Sequence, residues 1–447
     1  MKIAHINVIA TMSTGRIAVE LCRLAMENGH RVLLCHSRDF CPPDVPSLKI
    51  GGKADLFCHA LLARLTDRQG FFSKRATQRL VRELKSYRPD VVHLHNLHGY
   101  YLHLPTLFEY LRREDIPTVW TLHDCWAFTG RCAYYTTACD APPPDGVRRR
   151  GGAEGCERWQ TGCGRCPQKQ AYPRTWFLDQ SAKNWRDKRA LFTELPHMVL
   201  ATPSEWLRDQ VKRSFLGKYP VYALPNGIDL SAFAPCTDQD YLWNTVRYYG
   251  LAKAREHHLI LSVAGVWEER KGLDDLIRLA ETLGDGYRVV ALGLDEYQIK
   301  ALPPHTVVGV RPTGNLNDLC ALYTVADVCV SLSHGETMGM TLVEALACGT
   351  QVLCYDSTAM PEIVTKEVGL TVPLGDIEAA AQAVQALCED PREPADCLAR
   401  AAQYDAPRRF QAYMKLYDGM YLNSPAYMRA VEAACGPAAG KGTRKVE

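Results

Sequence analysis

Short apolar runs alternate with stretches of helical periodicity along most of the chain. Runs at 3–10, 31–37, 91–95, 117–122, 198–203 and 220–224 are bounded by Gly, Pro, Asp or Asn. Their near-continuous apolar character predicts strands buried on both faces. Between them the spacing predicts helices over 17–28, 54–87 and 173–196. A second series follows a helical and loop stretch from about residue 235. It comprises strands at 259–263, 289–292, 306–308, 327–330 and 351–355, with helices over 340–348, from Met360, over 376–403 and over 404–421. Strand and helix alternating in this way predict an α/β fold with doubly wound parallel sheets, whose ligands gather at the carboxyl ends of the strands.

Length and composition narrow the picture. At 447 residues the chain can form two domains with separate cores, expected at 1–225 and 226–403. A hydrophobic content of 47% and charged content of 23% are those of a soluble globular protein. A net charge of +2 argues against a protein built around nucleic acid. No apolar stretch reaches about 18 residues, so no membrane span is expected. The opening MKIAHINVIATMS carries His5 and Asn7 within a short apolar run, and reads as a buried strand rather than a signal peptide. Eighteen cysteines without a secretion signal point to a reducing, cytoplasmic compartment.

The richest chemistry lies in 331–349, SLSHGETMGMTLVEALACG. With Glu336 on a loop and Glu344 early in the following helix, both carboxylates can face one pocket. Gly339 between them permits close approach of a ligand to the backbone, and free N–H groups at the helix start favour an anion. Such a pocket suits a ligand with both hydroxyls and phosphates, such as a nucleotide sugar. The plain alternative is a pair of glutamates flanking an amphipathic helix. Arg270 and Lys271 precede another helix and form a basic pair suited to a diphosphate, or a solvated one. His123 ends a strand where substrate sites form, though a buried, hydrogen-bonded histidine fits equally. Gly15 is not a dinucleotide fingerprint; it contacts substrate or merely opens a helix. Four histidines between 93 and 103 suggest a metal, but no carboxylate or cysteine completes a set nearby, so polar neighbours or an acceptor are the better partners.

The run ADVCVSLSHGETMGMTLVEALACGTQVLCYDSTAMPEIV, with PTVWTLHD and PNGID earlier, resembles the signature of retaining glycosyltransferases of family 4. That resemblance implies the GT-B fold, two Rossmann-like domains facing a cleft, with the helix over 404–421 crossing back to the first. It implies that Glu336 meets the donor sugar, Glu344 the ribose and His123 the sugar. His123, Lys271 and Glu336 are then the catalytic set. Gly15, Arg270, Lys271, Glu336, Met338, Gly339, Met340 and Glu344 form the donor-binding set. Met338 stands where the family usually has Phe. The family also has an Arg directly after the strand's glycine, where this chain has Val266; either Arg270 replaces it, or Lys271 and backbone donors suffice. The implied reaction uses a UDP- or GDP-sugar donor and a glycan or polyprenyl-diphosphate-linked acceptor. It needs no catalytic metal and no protein nucleophile, and it takes place in the cytoplasm or at the inner face of the membrane through peripheral contact. Rival readings are another GT-B enzyme, such as a nucleotide-sugar epimerase, or a non-catalytic sugar-nucleotide-binding protein.

One stretch departs from a plain domain of this kind. Six cysteines fall between 125 and 166, with Cys163 and Cys166 forming a CxxC pair. The competing readings are a redox pair and unpaired thiols; Pro167 follows and no βαβ unit surrounds them, which disfavours the redox pair. Cys132, Cys156, Cys163 and Cys166 are the expected ligands of one structural Zn²⁺, with Cys125 in the core and Cys139 as the alternative ligand. The run resembles an insert of bacterial exopolysaccharide and colanic-acid-type glycosyltransferases. Within it 141–155, and the tail 434–447, are expected to be disordered.

Overall fold

The computed structural model describes residues 1–136, 155–251, 257–304 and 306–423. The expectations of disorder at 141–155 and 434–447 therefore fall almost wholly outside the described residues, as does Cys139. The chain divides into two units: residues 1–136, 155–226 and 407–423 make the first, and 227–406 the second.

The first unit's strands are β1 (Lys2–Ile6), β2 (Arg31–His36), β3 (Ser47–Lys49), β4 (Val91–Leu94), β5 (Thr118–Thr121), β6 (Met198–Thr202) and β7 (Val221–Ala223). They form one parallel sheet in the order β3-β2-β1-β4-β5-β6-β7. The second unit has β8 (His258–Val263), β9 (Tyr287–Leu292), β10 (Val307–Val310), β11 (Val328–Ser331), β12 (Val352–Tyr355) and β13 (Gly369–Val372). These run parallel in the order β10-β9-β8-β11-β12-β13. Both are Rossmann-like, doubly wound sheets. In each, strand order reverses beside the unit's first strand, at β1/β4 and at β8/β11. Loops leaving neighbouring strands in opposite directions open a crevice there.

Several elements differ from expectation for identifiable reasons. The helix expected over 54–87 is two, Lys53–Thr66 and Lys74–Tyr87, because Asp67, Gly70 and Ser73 all take positive φ between them. The one expected over 173–196 contracts to Ser181–Phe192. A helix at Leu104–Arg113, capped by His103 with Pro105 in its first turn, lies where the sequence pattern assigned no element. The helix from Met360 is a single 3₁₀ turn. Strands β3 and β13 are too short for a periodicity argument.

At the first unit's reversal the register sets His5 on β1 opposite His93 on β4. His5 Nδ1 lies 3.2 Å from His95 Nε2. His93 bonds Tyr417 Oη at 2.6 Å and Thr121 Oγ1 at 2.7 Å, and Thr121 bonds Tyr413 Oη at 3.1 Å. Both tyrosines stand on the last helix, Ala406–Leu422, so a buried imidazole layer fastens that helix to the sheet. The donor atoms of His5, His93 and His95 fall within 4.8 Å of one another. His5 is thus the third member that the 93–103 segment lacked. Both ring nitrogens of His93 and of His95 are engaged in hydrogen bonds within the protein, whereas His5 Nε2 is buried with no hydrogen-bond partner among the described residues.

Burial pushes His5 down to about 3 and His93 and His95 well below the ordinary imidazole range. In the unfolded chain these rings take protons below about 6.5, whereas in the fold they resist. Stability is therefore fully present above pH 6.5 and falls as pH drops toward 4. Each ring contributes a slope of up to about 1.4 kcal/mol per pH unit. Urea unfolding followed by near-UV circular dichroism should show a clearly lower midpoint at pH 5 than at pH 7. Equal midpoints would mean that the layer is not held neutral.

Candidate functional site

The second unit's reversal point carries the charged residues singled out in the sequence. After β8 the chain makes a 3₁₀ turn at Glu269–Lys271, then enters the helix Leu273–Leu283 through Gly272. Gly272 has φ 74°, and a Cβ there would sit 2.0 Å from the Leu332 carbonyl oxygen. Only glycine allows the β8 loop to close this tightly against the chain leaving β11. That closure brings Lys271 Nζ to 2.5 Å and Arg270 Nη1 to 3.1 Å from one oxygen, Glu336 Oε1. Ser333 Oγ donates to the same oxygen at 2.9 Å. Arg270 also donates to the Gly335 carbonyl, and the Glu336 N–H donates to Thr358 Oγ1.

Burial alone would raise the Glu336 carboxyl; Lys271, Arg270 and the Ser333 bond together outweigh it, and the net shift is downward. Two cations share the Glu336 carboxylate, and Arg270 Nε also pairs with the more exposed Glu268 at 3.2 Å. Below the cluster, Asp275 Oδ2 accepts from Tyr355 Oη at 2.9 Å and lies 2.8 Å from His334 Nε2, which ties the 333–336 loop to the following helix. Ser333, Thr358, Asp275 and Tyr355 were not anticipated. Ser333 and His334 lie inside the motif, but partners supplied from 275, 355 and 358 leave no local mark.

The helix Met340–Ala347 starts at Gly339, whose φ of 95° suits glycine and turns the chain sharply ahead of the helix's first N–H groups. Glu344, one turn in, is 8% exposed and accepts from Tyr323 Oη at 3.0 Å. Met338 is buried in the apolar core, so what it offers a ligand is backbone; Met340 is half-buried at the helix start.

Of the first-unit candidates, Gly15 packs against the backbone, where a Cβ would lie 2.8 Å from the Ala10 carbonyl carbon. Packing alone accounts for its identity. His123 follows β5, and its Nε2 lies 3.2 Å from His95 Nδ1, extending the imidazole layer to the sheet's carboxyl edge. Burial lowers it to about 4, so it is a neutral imidazole at neutral pH. Next to it Asp124 accepts from His98 Nε2 at 2.7 Å and from the Trp126 N–H at 2.9 Å.

The family model described as Glycosyltransferase Family 4 matches residues 14–232, and that described as Glycosyl transferases group 1 matches 251–404. Together they take in both reversal points. The chain belongs to glycosyltransferase family 4. This glycosyltransferase-family chain is 28% identical over 298 residues to WcaC of Escherichia coli K12, named as a colanic acid biosynthesis glycosyl transferase. That match spans 64% of each protein, so the chain matches somewhat less than two thirds of this relative. It is 31% identical over 223 residues to the D-inositol 3-phosphate glycosyltransferase of Xylanimonas cellulosilytica, covering 47% of this chain and 53% of that one. Among solved structures, a glycosyltransferase of Rickettsia africae superposes with TM-score 0.65 at 12% identity, covering 95% of this chain and 99% of that one. Anabaena HepE, solved with UDP and glucose, gives TM-score 0.63 at 14% identity, covering 94% and 100%. At such identities these likenesses establish the fold, which is GT-B.

Gly272→Ala should destabilise the second unit by on the order of 2–4 kcal/mol, combining overpacking with an unfavourable positive φ. Gly286→Ala, with nothing within 4 Å of its Cβ, should stay within about 0.5 kcal/mol of the parent. Urea denaturation compares the two. Equal effects would show that the close approach to Leu332 does not constrain the loop.

Proposed function

We propose that this protein transfers a sugar from a nucleoside-diphosphate donor to a glycan or lipid-linked acceptor with retention of anomeric configuration. The carrying observation is the shared carboxylate oxygen: Glu336 gathers Lys271 and Arg270 at the reversal point that holds ligands in doubly wound sheets. Lys271 and Arg270 would meet the diphosphate, together with the backbone N–H groups that follow Gly339. Glu336, released in part from its cations by the phosphates, would meet a sugar hydroxyl, and Glu344 the ribose. In the transfer, the bond from the anomeric carbon to the diphosphate breaks. The acceptor oxygen bonds the same face, and its proton passes to the departing phosphate oxygen. The protein's part is to stabilise charge on the leaving group. His123, neutral, would orient the sugar through a hydrogen bond.

An acceptor presented at a membrane accords with the surface of the first unit. Phe57, Leu61 and Leu62 are exposed on the helix Lys53–Thr66, and the Trp176 N–H bonds the carbonyl of Arg64 on that helix, bringing exposed Trp176 and Phe177 beside it. Among the described residues no helix is long and apolar enough to cross a membrane.

A panel of nucleotide sugars screened by thermal shift identifies the donor, and NMR of the product reads the anomeric configuration. Inversion, or hydrolysis and epimerisation without transfer, would overturn the proposal. Lys271→Ala should lower kcat tenfold or more, about 1.4 kcal/mol of barrier; retention within threefold would remove it from the reaction. Glu344→Ala should weaken nucleoside diphosphate binding by about 1.5–3 kcal/mol in calorimetric titration, and unchanged affinity in a folded variant would take Glu344 out of the site.

A further inference from the structure

The loop following β5 holds a second centre unconnected with sugar chemistry. We propose that Cys132, Cys156, Cys163 and Cys166 bind one Zn²⁺ that is structural and pins this loop to the start of the helix Ser181–Phe192. The four side chains come from three stretches of chain, Cys163 and Cys166 sharing the CxxC knuckle, yet line a single small pocket. All four are free thiols. Cys125 is wholly buried in the apolar core and takes no part in the pocket.

Three further observations point to an ion. First, a hydrogen-bond donor is already aimed at one of the sulfurs: the Gly130 N–H donates to Cys163 Sγ at 3.0 Å, while the Thr129 hydroxyl donates to the Cys132 carbonyl at 2.6 Å and holds that segment in place. Donors to sulfur stabilise thiolates more than thiols, and they are the outer support that metal-bound cysteines require. Second, the surroundings are built around backbone rather than side-chain volume. A Cβ on Gly130 would meet the Ser181 carbonyl oxygen at 2.4 Å and Cys163 Cβ at 2.6 Å, so the knuckle is pressed against the helix start. Asp179 Oδ2 accepts the Cys166 N–H at 2.7 Å, and its other oxygen accepts from Ser181 N at 2.9 Å.

Third, two buried basic side chains stand beside the cysteines. Arg131 and Lys188 are 3% and 1% exposed. Arg131 pairs with Asp67 at 3.0 Å. Lys188 donates to the Trp126 carbonyl at 2.6 Å and lies 3.7 Å from that ring's centroid, and no carboxylate forms an ion pair with it among the described residues. Cys163, Cys132, Asp124 and Asp67 are the groups of opposite sign that act on it. Zn²⁺ with four thiolates carries two negative charges and adds a counterion beside this buried amine.

Tetrahedral Zn–S bonds place sulfurs about 3.8 Å apart. Among the described residues no three of these sulfurs lie mutually within 4.8 Å. In the proposed site, binding would draw inward the segments on either side of the 3₁₀ turn Arg158–Gln160. With four thiolates the metal has no open position for water or substrate, and its part is to hold the chain that leaves Asp124.

Elemental analysis of the full chain, purified under reducing conditions without added metal, should find about one zinc per chain. The four thiols should resist a disulfide reagent until a mercurial releases them and the zinc together. Replacement by Co²⁺ should give the intense visible absorption of a tetrahedral thiolate site. Cys163→Ser should lose the metal, whereas Cys139→Ser should keep it. Parent protein with less than about a tenth of a zinc per chain and freely reactive thiols would overturn the proposal, whatever the folding of the variants. So would a cobalt spectrum of octahedral oxygen ligation, or loss of metal from Cys139→Ser.

Discussion

One carboxylate oxygen organises the second unit's site. Glu336 Oε1 accepts from Lys271, Arg270 and Ser333 at once, and so joins the loop after β8 to the loop after β11. Arg270 is held further by the Gly335 carbonyl and Glu268, and the Glu336 N–H by the Thr358 hydroxyl. In the proposed reaction an incoming dianion would take over the cations, and the freed carboxylate would become an acceptor for hydroxyls. Everything nearby serves that geometry, from the missing side chain at Gly272 to the Asp275 anchor beneath His334.

The two units use the same strand order to different ends. At β8/β11 the reversal gathers fixed charge; at β1/β4 it gathers neutral imidazoles. The first unit's layer runs from His5 through His95 to His123. Because these rings stay uncharged, His123 reaches the sheet's edge as an oriented dipole rather than as a cation.

The fold class was legible because fully buried parallel strands read as unbroken apolar runs, and the charged site because its residues cluster in two short segments. Lys271, Arg270, Glu336, Gly339 and Glu344 could all be named before any geometry. What stayed hidden depends on distance along the chain. His5 completes the His93–His95 group from 88 residues away, so a search confined to 93–103 found no third member. Asp275 and Tyr355 support the motif from other elements. The break at 67–73 was missed because Arg68, Gln69 and Phe71 continue a plausible helix, while the left-handed turns at Asp67 and Ser73 need tertiary partners. Asp67 finds them in Arg131 and the Gln180 N–H.

The placement of Tyr413 and Tyr417 has a consequence for biosynthesis. The second unit is inserted between residues 226 and 407 of the first, and its ends are tied together by the Ile228–Asp405 bridge. A ribosome therefore completes the second sheet before it delivers the helix that caps the first. Until then His93 and Thr121 lack the hydroxyls that satisfy them, and the first sheet waits with an open polar face. The nascent chain folds inside out in time: its inserted half closes early, and its leading half is finished last.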